Sequence, residues 1–236
     1  LNDPEAYTPR QSFWYIRAKH VLISTGSIER PLIFANNDRP GIMLATSARE
    51  YLKVYGVLPG KNPIIFTNND TAYETAIEFK AYGIDTIILD TRKSSDAGVV
   101  QEAKNLGIEI KFNHGIANTA GYKKVKSATI GELTESRDGY KNFTTIPCDS
   151  IFVSGNWTPT VHLASQSGNK LKYESETDTF LPDQSRQKET VTGSANGLFT
   201  LKESLADGFN KGYQISDEIT KNGRETSVPI SDEKDF

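Results

Sequence analysis

The chain has 236 residues, of which 36% are hydrophobic and 24% charged, ordinary values for a soluble globular protein with one or two domains. A formal net charge of -3 gives the whole chain no attraction to nucleic acid or to an anionic membrane surface, and no apolar run is long enough to span a bilayer. The single Cys148 excludes an internal disulfide framework and fits a reducing, cytoplasmic setting.

The opening LNDPEAYTPR has neither a basic nor an apolar region and is not a signal peptide; without an initiator Met it reads as part of a longer polypeptide. In Phe13–Gly26 an alternating stretch leads into the continuous apolar run Val21–Ile23, which predicts a half-buried strand feeding a fully buried one. The small Thr25-Gly26 end allows close approach of a ligand or of another backbone, or is a simple strand-end turn. Ser27–Gly41 is rich in Pro, Asn, Asp and Gly and predicts a structured loop. Thr46–Tyr55 predicts a helix capped by Thr46 or Ser47 and ended by Gly56.

Pro63–Arg92 carries the strongest pattern. A strand at Pro63–Thr67, a helix from Thr71 to Tyr82 with Asp70 as N-cap and Gly83 as stop, and a strand at Thr86–Leu89 make a βαβ unit with a right-handed crossover into a parallel sheet. This is the layout of a dinucleotide-binding unit, but Thr67, Asn69 and Ala72 stand where the G-x-G-x-x-G/A fingerprint belongs. Side chains at Thr67 and Asn69 would occupy the space of the phosphates. Asp90 sits where a ribose-binding acid belongs, although strand-end Asp residues are common. A helix over about Ala97–Asn105, capped by Ser94-Ser95-Asp96, and a strand at Ile108–Phe112 continue the unit.

Tyr122–Ile130 and Asn142–Ile146 predict two antiparallel strands around the turn Ser136–Gly139. Cys148–Gly155 repeats the earlier pattern of an apolar run ending in a small residue and Gly. Trp157–Val161 reads as a loop, and Asn169–Gln187 as polar chain anchored by Tyr173 and Phe180. Gly193–Phe199 is a Gly-bracketed turn before a helix from about Thr200 to Gly212. Such a junction suits an anion, or is an ordinary loop-helix join. His20, His114, His162 and Cys148 lack metal-ligand spacing, and no catalytic triad or close carboxylate pair stands out.

Together these stretches resemble the two-dinucleotide-fold flavoprotein and pyridine-nucleotide oxidoreductases. Ile23–Gly26 looks like the "ATG" strand of their first domain, Pro63–Arg92 like their nested second domain, and Asp149–Pro159 like the return to the first. Longer matches, STGSIERPLIFANNDRPGIML, FTNNDTAYETA, VSGNWTPTVHL and LKESLADG, resemble the alpha subunit of heterotetrameric sarcosine oxidase. The resemblance implies an α/β fold: a nested Rossmann-like parallel sheet with flanking antiparallel strands, inserted in a split nucleotide-binding domain. The implied boundaries are 1–35 for the C-terminal part of the split first domain's insertion, 36–155 for the nested domain, which lacks the glycine fingerprint, 156–213 for the return segment of the first domain and 214–236 for a linker or tail. It further implies oxidative demethylation of sarcosine, with NAD in the alpha subunit's first nucleotide fold. FAD and FMN would be held mainly by or beside the beta subunit, and tetrahydrofolate by a C-terminal part that this chain lacks. Thr25, Gly26, Gly193, Leu198 and Thr200 would border the NAD, and no residue here would be directly catalytic. Ser194 replaces the Asp of the broader flavoprotein pattern. The alternatives are an alpha subunit acting on another secondary amine and a non-catalytic scaffold.

Overall fold

The computed structural model describes Tyr7 and residues 11–220. Two short strands, β1 (Val21–Ile23) and β2 (Ser27–Glu29), precede the central block. The block runs β3 (Ile42–Leu44), α1 (Ala45–Tyr55), β4 (Pro63–Thr67), α2 (Thr71–Ala81), β5 (Ile87–Asp90), α3 (Gly98–Asn105) and β6 (Glu109–Phe112). There follow β7 (His114–Ala120), β8 (Ser127–Leu133), β9 (Tyr140–Pro147) and β10 (Ser150–Ser154). The five-stranded sheet has the order β3-β10-β4-β5-β6 and is parallel throughout, with Ile64 opposite Ile87 and Ile151 opposite Ile64.

Three layers explain the sequence pattern. Alternate strand residues point to opposite faces. Ile65, Ile88 and Phe152 pack with Ala48, Leu52, Ala76, Phe79 and Val100 of the helices. Ile64, Phe66, Leu89, Ile151 and Val153 meet Ile116, Ala128 and Ile130 of the antiparallel sheet β7-β8-β9. Both faces of β4 and β10 are therefore covered, which is why they read as unbroken apolar runs. Phe66 and Phe79 are fully buried, each contributing about 1.5–3 kcal/mol of transfer free energy. Gly83 and Gly107 follow α2 and α3 with φ of 76° and 72°, the left-handed conformation expected of helix stops.

The chain then returns through β11 (Trp157–Pro159), α4 (His162–Gln166), the hairpin β12 (Lys170–Glu174) and β13 (Thr179–Gln184), and β14 (Glu189–Val191). A 3-10 turn at Gly193–Asn196 leads to α5 (Leu201–Thr220). β14 pairs in parallel with β1, and β11 pairs antiparallel with β2. The segments before and after the central block thus meet in space.

Several local expectations change. Phe13–Gly26 does not hold a half-buried strand feeding a fully buried one: only Val21–Ile23 pairs, and Phe13, Trp14, Tyr15 and Ile16 are exposed. Val21 and Leu22 are also exposed, so β1 is buried at Ile23 alone. Ser27–Glu29 and Trp157–Pro159 are strands rather than loop, because each supplies the other's hydrogen-bonding partner. β7 was hidden in the sequence by its polar residues and by an irregularity between Ile116 and Asn118. The polar stretch 169–187 folds as a hairpin in which Tyr173 and Phe180 stack edge-to-face at 5.6 Å. Neither Thr46 nor Ser47 caps α1, whose N-cap is Leu44. α5 continues past Gly212 to Thr220, so 214–220 is helix, while 221–236 of the expected tail lies outside the described residues.

Candidate functional site

In open α/β sheets, ligands bind outside the carboxyl ends of the strands. Here that end of the nested sheet is filled by the chain's own polar groups. The Thr67 hydroxyl accepts the Asn69 amide and donates to the Asn69 carbonyl, both at 3.1 Å. The Asn69 side-chain amide donates to Ser154 Oγ at 3.0 Å, bolting the end of β4 to that of β10. Asn69 Oδ1 accepts from the amide and hydroxyl of Thr71, at 3.1 and 2.7 Å. Asn69, not Asp70, therefore serves the first turn of α2.

Asp70 turns the other way. Its carboxylate accepts from Arg92 at 2.7 Å and from the Ser95 hydroxyl at 3.0 Å. Arg92 also donates to both oxygens of Asp90, which is fully buried and takes a further bond from the Tyr73 hydroxyl at 2.7 Å. Burial lifts the Tyr73 phenol well above its usual range, and the Asp90 charge lifts it further. Burial alone would lower the Arg92 pKa, but its bonds to Asp90 and Asp70 outweigh this and raise it. Tyr73, Asp90, Arg92, Asp70 and Ser95 thus form a closed network where a ribose-binding acid would have to be free. In this arrangement Asp90 is not free to hold a ribose.

The second candidate place lies in the flank. Thr25 follows β1, and its hydroxyl donates to the Thr160 carbonyl at 2.6 Å, while the Thr160 amide donates to the Gly26 carbonyl at 2.9 Å. Gly26 has φ of 73°, and a Cβ there would lie 3.9 Å from Ser194 Oγ. The structure therefore brings Thr25-Gly26 against the 3-10 turn Gly193–Asn196, two stretches far apart in sequence. Small residues stand on both sides of this contact.

The junction into α5 is less open to an anion than its glycines suggest. Thr200 and Glu203 form a capping box: the Glu203 amide donates to the Thr200 hydroxyl at 3.2 Å, which donates to Glu203 Oε2 at 2.8 Å. The Gly193 amide and the Thr192 hydroxyl donate to Asp207 at 3.0 and 2.8 Å. Partial burial pushes the Asp207 carboxyl up, but these two donors and Lys211 together hold it below the usual range. A phosphate would meet two carboxylates here. Leu198 is half-buried and its carbonyl accepts from Ser204.

The other groups singled out in the sequence are accounted for. His20 Nε2 lies 2.9 Å from the Thr190 hydroxyl, and His114 Nδ1 lies 2.7 Å from the Phe112 carbonyl. Among the described residues no three or more His, Cys, Asp or Glu side chains converge as for a metal ion, and no helix is long and apolar enough to cross a membrane. A cavity of about 590 Å³ opens at the opposite, amino end of the nested sheet, lined by Asn62, Lys80, Thr86 and Ile146 among others. It is remote from the loops that carry ligands in this architecture. The contact that sequence reasoning missed is the ribbon β2-β11. Glu29 Oε2 accepts the amide of Thr46 at 3.0 Å and also its hydroxyl. Trp157 Nε1 donates to the Thr71 hydroxyl at 3.3 Å. An acid three residues beyond the Thr25-Gly26 end was the available signal.

No family model matches the chain. It is similar to one segment of two sarcosine oxidase alpha subunits: 33% identical over 211 residues to that of Corynebacterium sp. (strain P-1), and 34% over 222 residues to that of Rhizobium meliloti (strain 1021). The matches cover 88% and 93% of this chain but only 22% and 21% of those subunits, so the chain spans about a fifth of the length of these relatives. Among solved structures it is similar to thioredoxin reductase of T. acidophilum, with a TM-score of 0.69 at 20% identity over 86% of this chain and 67% of that one. That likeness establishes the Rossmann-type α/β fold.

Proposed function

We propose that this chain, matching one segment of sarcosine oxidase alpha subunits over most of its length, works as the central part of such a subunit in a multi-subunit enzyme that oxidatively demethylates sarcosine to glycine. The observation that carries this reading is the match at 33–34% identity across about nine-tenths of the chain. The domain plan that goes with it has 1–35 as the C-terminal part of the split first nucleotide-binding domain's insertion, 36–155 as the nested domain and 156–213 as the return segment of the first domain. The parallel pairing of β1 with β14 supports that plan, since a lone two-stranded parallel sheet with exposed Val21 and Leu22 is an incomplete unit.

In this reading NAD lies along the wall made by Thr25, Gly26, Gly193, Leu198 and Thr200. The support is geometric: Gly26 and Ser194 face each other, while Thr67, Asn69 and Asp90 of the nested sheet are engaged by the chain's own groups. Because Gly193 and Thr200 are engaged by Asp207 and Glu203, the wall contacts an uncharged part of the dinucleotide. FAD and FMN, held mainly by or beside the beta subunit, supply the oxidation, and tetrahydrofolate belongs to another part of the polypeptide. This segment orients and shields, and none of its side chains takes part in the chemistry. Calorimetry of NAD against the full-length subunit, native and Thr200→Trp, tests the wall: weakened binding is expected, and unchanged affinity refutes it. Co-expression with candidate beta subunits and assay on sarcosine, proline and other secondary amines tests the substrate. Sarcosine turnover at background rate refutes the assignment.

A further inference from the structure

Trp157 and Glu29 are directly opposite each other in the antiparallel ribbon β2-β11. Opposite residues of an antiparallel pair project from the same face. The burial pattern agrees: Glu29 is 5% exposed and Trp157 half-buried, while their neighbours Ile28 and Thr158 are exposed on the other face. That one face meets two helix starts. The Glu29 carboxylate occupies the amino end of α1 through the amide and hydroxyl of Thr46, and the Trp157 indole reaches the first residue of α2 through the Thr71 hydroxyl. The two helices are themselves tied by the Thr75 hydroxyl, which donates to the Ala45 carbonyl at 3.1 Å.

The ribbon is equally fixed on its other side. Arg30, next after β2, donates to the Gly155 carbonyl at 3.2 Å and to the Asp178 carbonyl of the β12-β13 turn at 2.8 Å. The Gly155 amide donates to the Arg30 carbonyl at 2.5 Å, and a Cβ on Gly155 would lie 2.9 Å from backbone atoms of Arg30, Pro31 and Leu32. The two chain crossings between flank and nested block are therefore packed backbone to backbone. A connection of two unpaired crossings would leave the blocks free to rotate about it, as hinges between domains do.

We propose that the β2-β11 ribbon is a latch: Glu29 and Trp157, seated at the amino ends of α1 and α2, hold the nested block in one orientation against the flank. The carboxylate is suited to its seat because it complements the helix dipole and satisfies an orphan amide of the first turn. The indole supplies a large rigid contact with a polar tip. The amino ends of α1 and α2 are thus held by contacts with the chain's own ribbon. The inference does not depend on where NAD binds or on which amine is oxidised.

The test is a pair of spin labels in the full-length polypeptide, at Glu102→Cys on α3 and Lys172→Cys on β12, both exposed. Cys148 is buried and does not compete for the label. Native chain should give one narrow distance distribution. Glu29→Ala with Trp157→Ala should broaden it roughly twofold or split it, as hinge motion does, with far-UV circular dichroism unchanged. Glu29→Gln with Trp157→Phe keeps the shape of both side chains and should broaden it less; this pair carries the test if the alanine variant does not fold. Hydrogen exchange at the Thr46 amide should accelerate in Glu29→Ala. A broad or bimodal distribution in the native chain overturns the latch, as does a distribution that neither pair of variants changes.

Discussion

Arg92 is the residue whose removal should most damage the nested block. Its side chain donates to Asp90 through both Nε and a terminal nitrogen, at 2.7–3.2 Å, and to Asp70 at 2.7 Å. The Asp90 side chain has no solvent exposure and that of Arg92 only 27%. Arg92→Met keeps much of the packing and removes every one of these donors. Asp90 then retains the Tyr73 hydroxyl and the backbone amide of residue 92, too few donors for a buried carboxylate. Breaking a buried pair in this way costs about 3–5 kcal/mol, and the two surviving donors put the expectation at about 3. For a chain of this size that is a fall in Tm of roughly 6–12 °C, at about 2–4 °C per kcal/mol. Thermal melts of native chain, Arg92→Met, Asp90→Asn and the double variant supply the measurement. The double variant should be more stable than Arg92→Met alone, because the uncompensated charge is gone. A loss under about 1 kcal/mol for Arg92→Met, the scale of a solvated surface pair, would refute the closed network. So would altered NAD affinity of the folded variant, since the network is structural.

Three further outcomes follow from other contacts. Gly155→Ala places a methyl 2.9 Å from backbone atoms of Arg30, Pro31 and Leu32, where no side chain can move aside; melts should show a loss of about 1–3 kcal/mol, and a neutral result would mean that the crossing relaxes freely. The Asp207 carboxyl has its folded pKa below the unfolded value, so its contribution is present above the ordinary carboxylate pKa and disappears as pH falls through the depressed folded value. Acid titration of native chain against Asp207→Asn should therefore show the difference between them shrinking below about pH 4. Burial, and then the Asp149 charge, push the Cys148 thiol up to about 11, so any linked stability is full below the ordinary thiol pKa and lost as pH rises toward that value. A thiol reagent at pH 8 should label native chain far more slowly than unfolded chain, and equal rates would show Cys148 to be accessible.

The legible parts of the fold were those fixed by local chemistry. The apolar runs of β4, β5 and β10 announce strands buried on both faces, and Gly83 and Gly107 announce helix stops. The absence of glycine at Thr67 and Asn69 correctly marked a turn filled by its own side chains. What stayed hidden depends on distant partners. Asp70 has every local property of an N-cap, yet it turns to Arg92, 22 residues on. Ser27–Glu29 and Trp157–Pro159 are too short to read as strands until each finds the other. Phe13–Ile16 alternates as a strand should, and among the described residues it has no strand beside it, so pattern alone did not make it one. The two glycine-bearing turns at Thr25-Gly26 and Gly193–Gly197 were legible, but their meeting in space was not. The carboxylates that engage the Gly193 amide and the Thr200 hydroxyl, Asp207 and Glu203, sit on a helix whose register only the structure fixes.

The close crossing at Arg30 and Gly155 also bears on the order in which the chain folds. His20 and Thr190, which meet beside the β1-β14 pair, are 170 residues apart, and joining them from an unfolded chain means closing that whole loop. Arg30 and Gly155 are 125 residues apart, and once the nested block has folded they are already in contact. The loop left to close is then only about 45 residues, which lowers the entropic cost by about 1.2 kcal/mol. That corresponds to roughly an eightfold gain in the probability of the flank closing, at RT of about 0.59 kcal/mol. Once folded, the central block acts as a splint on which the segments before and after it are set together.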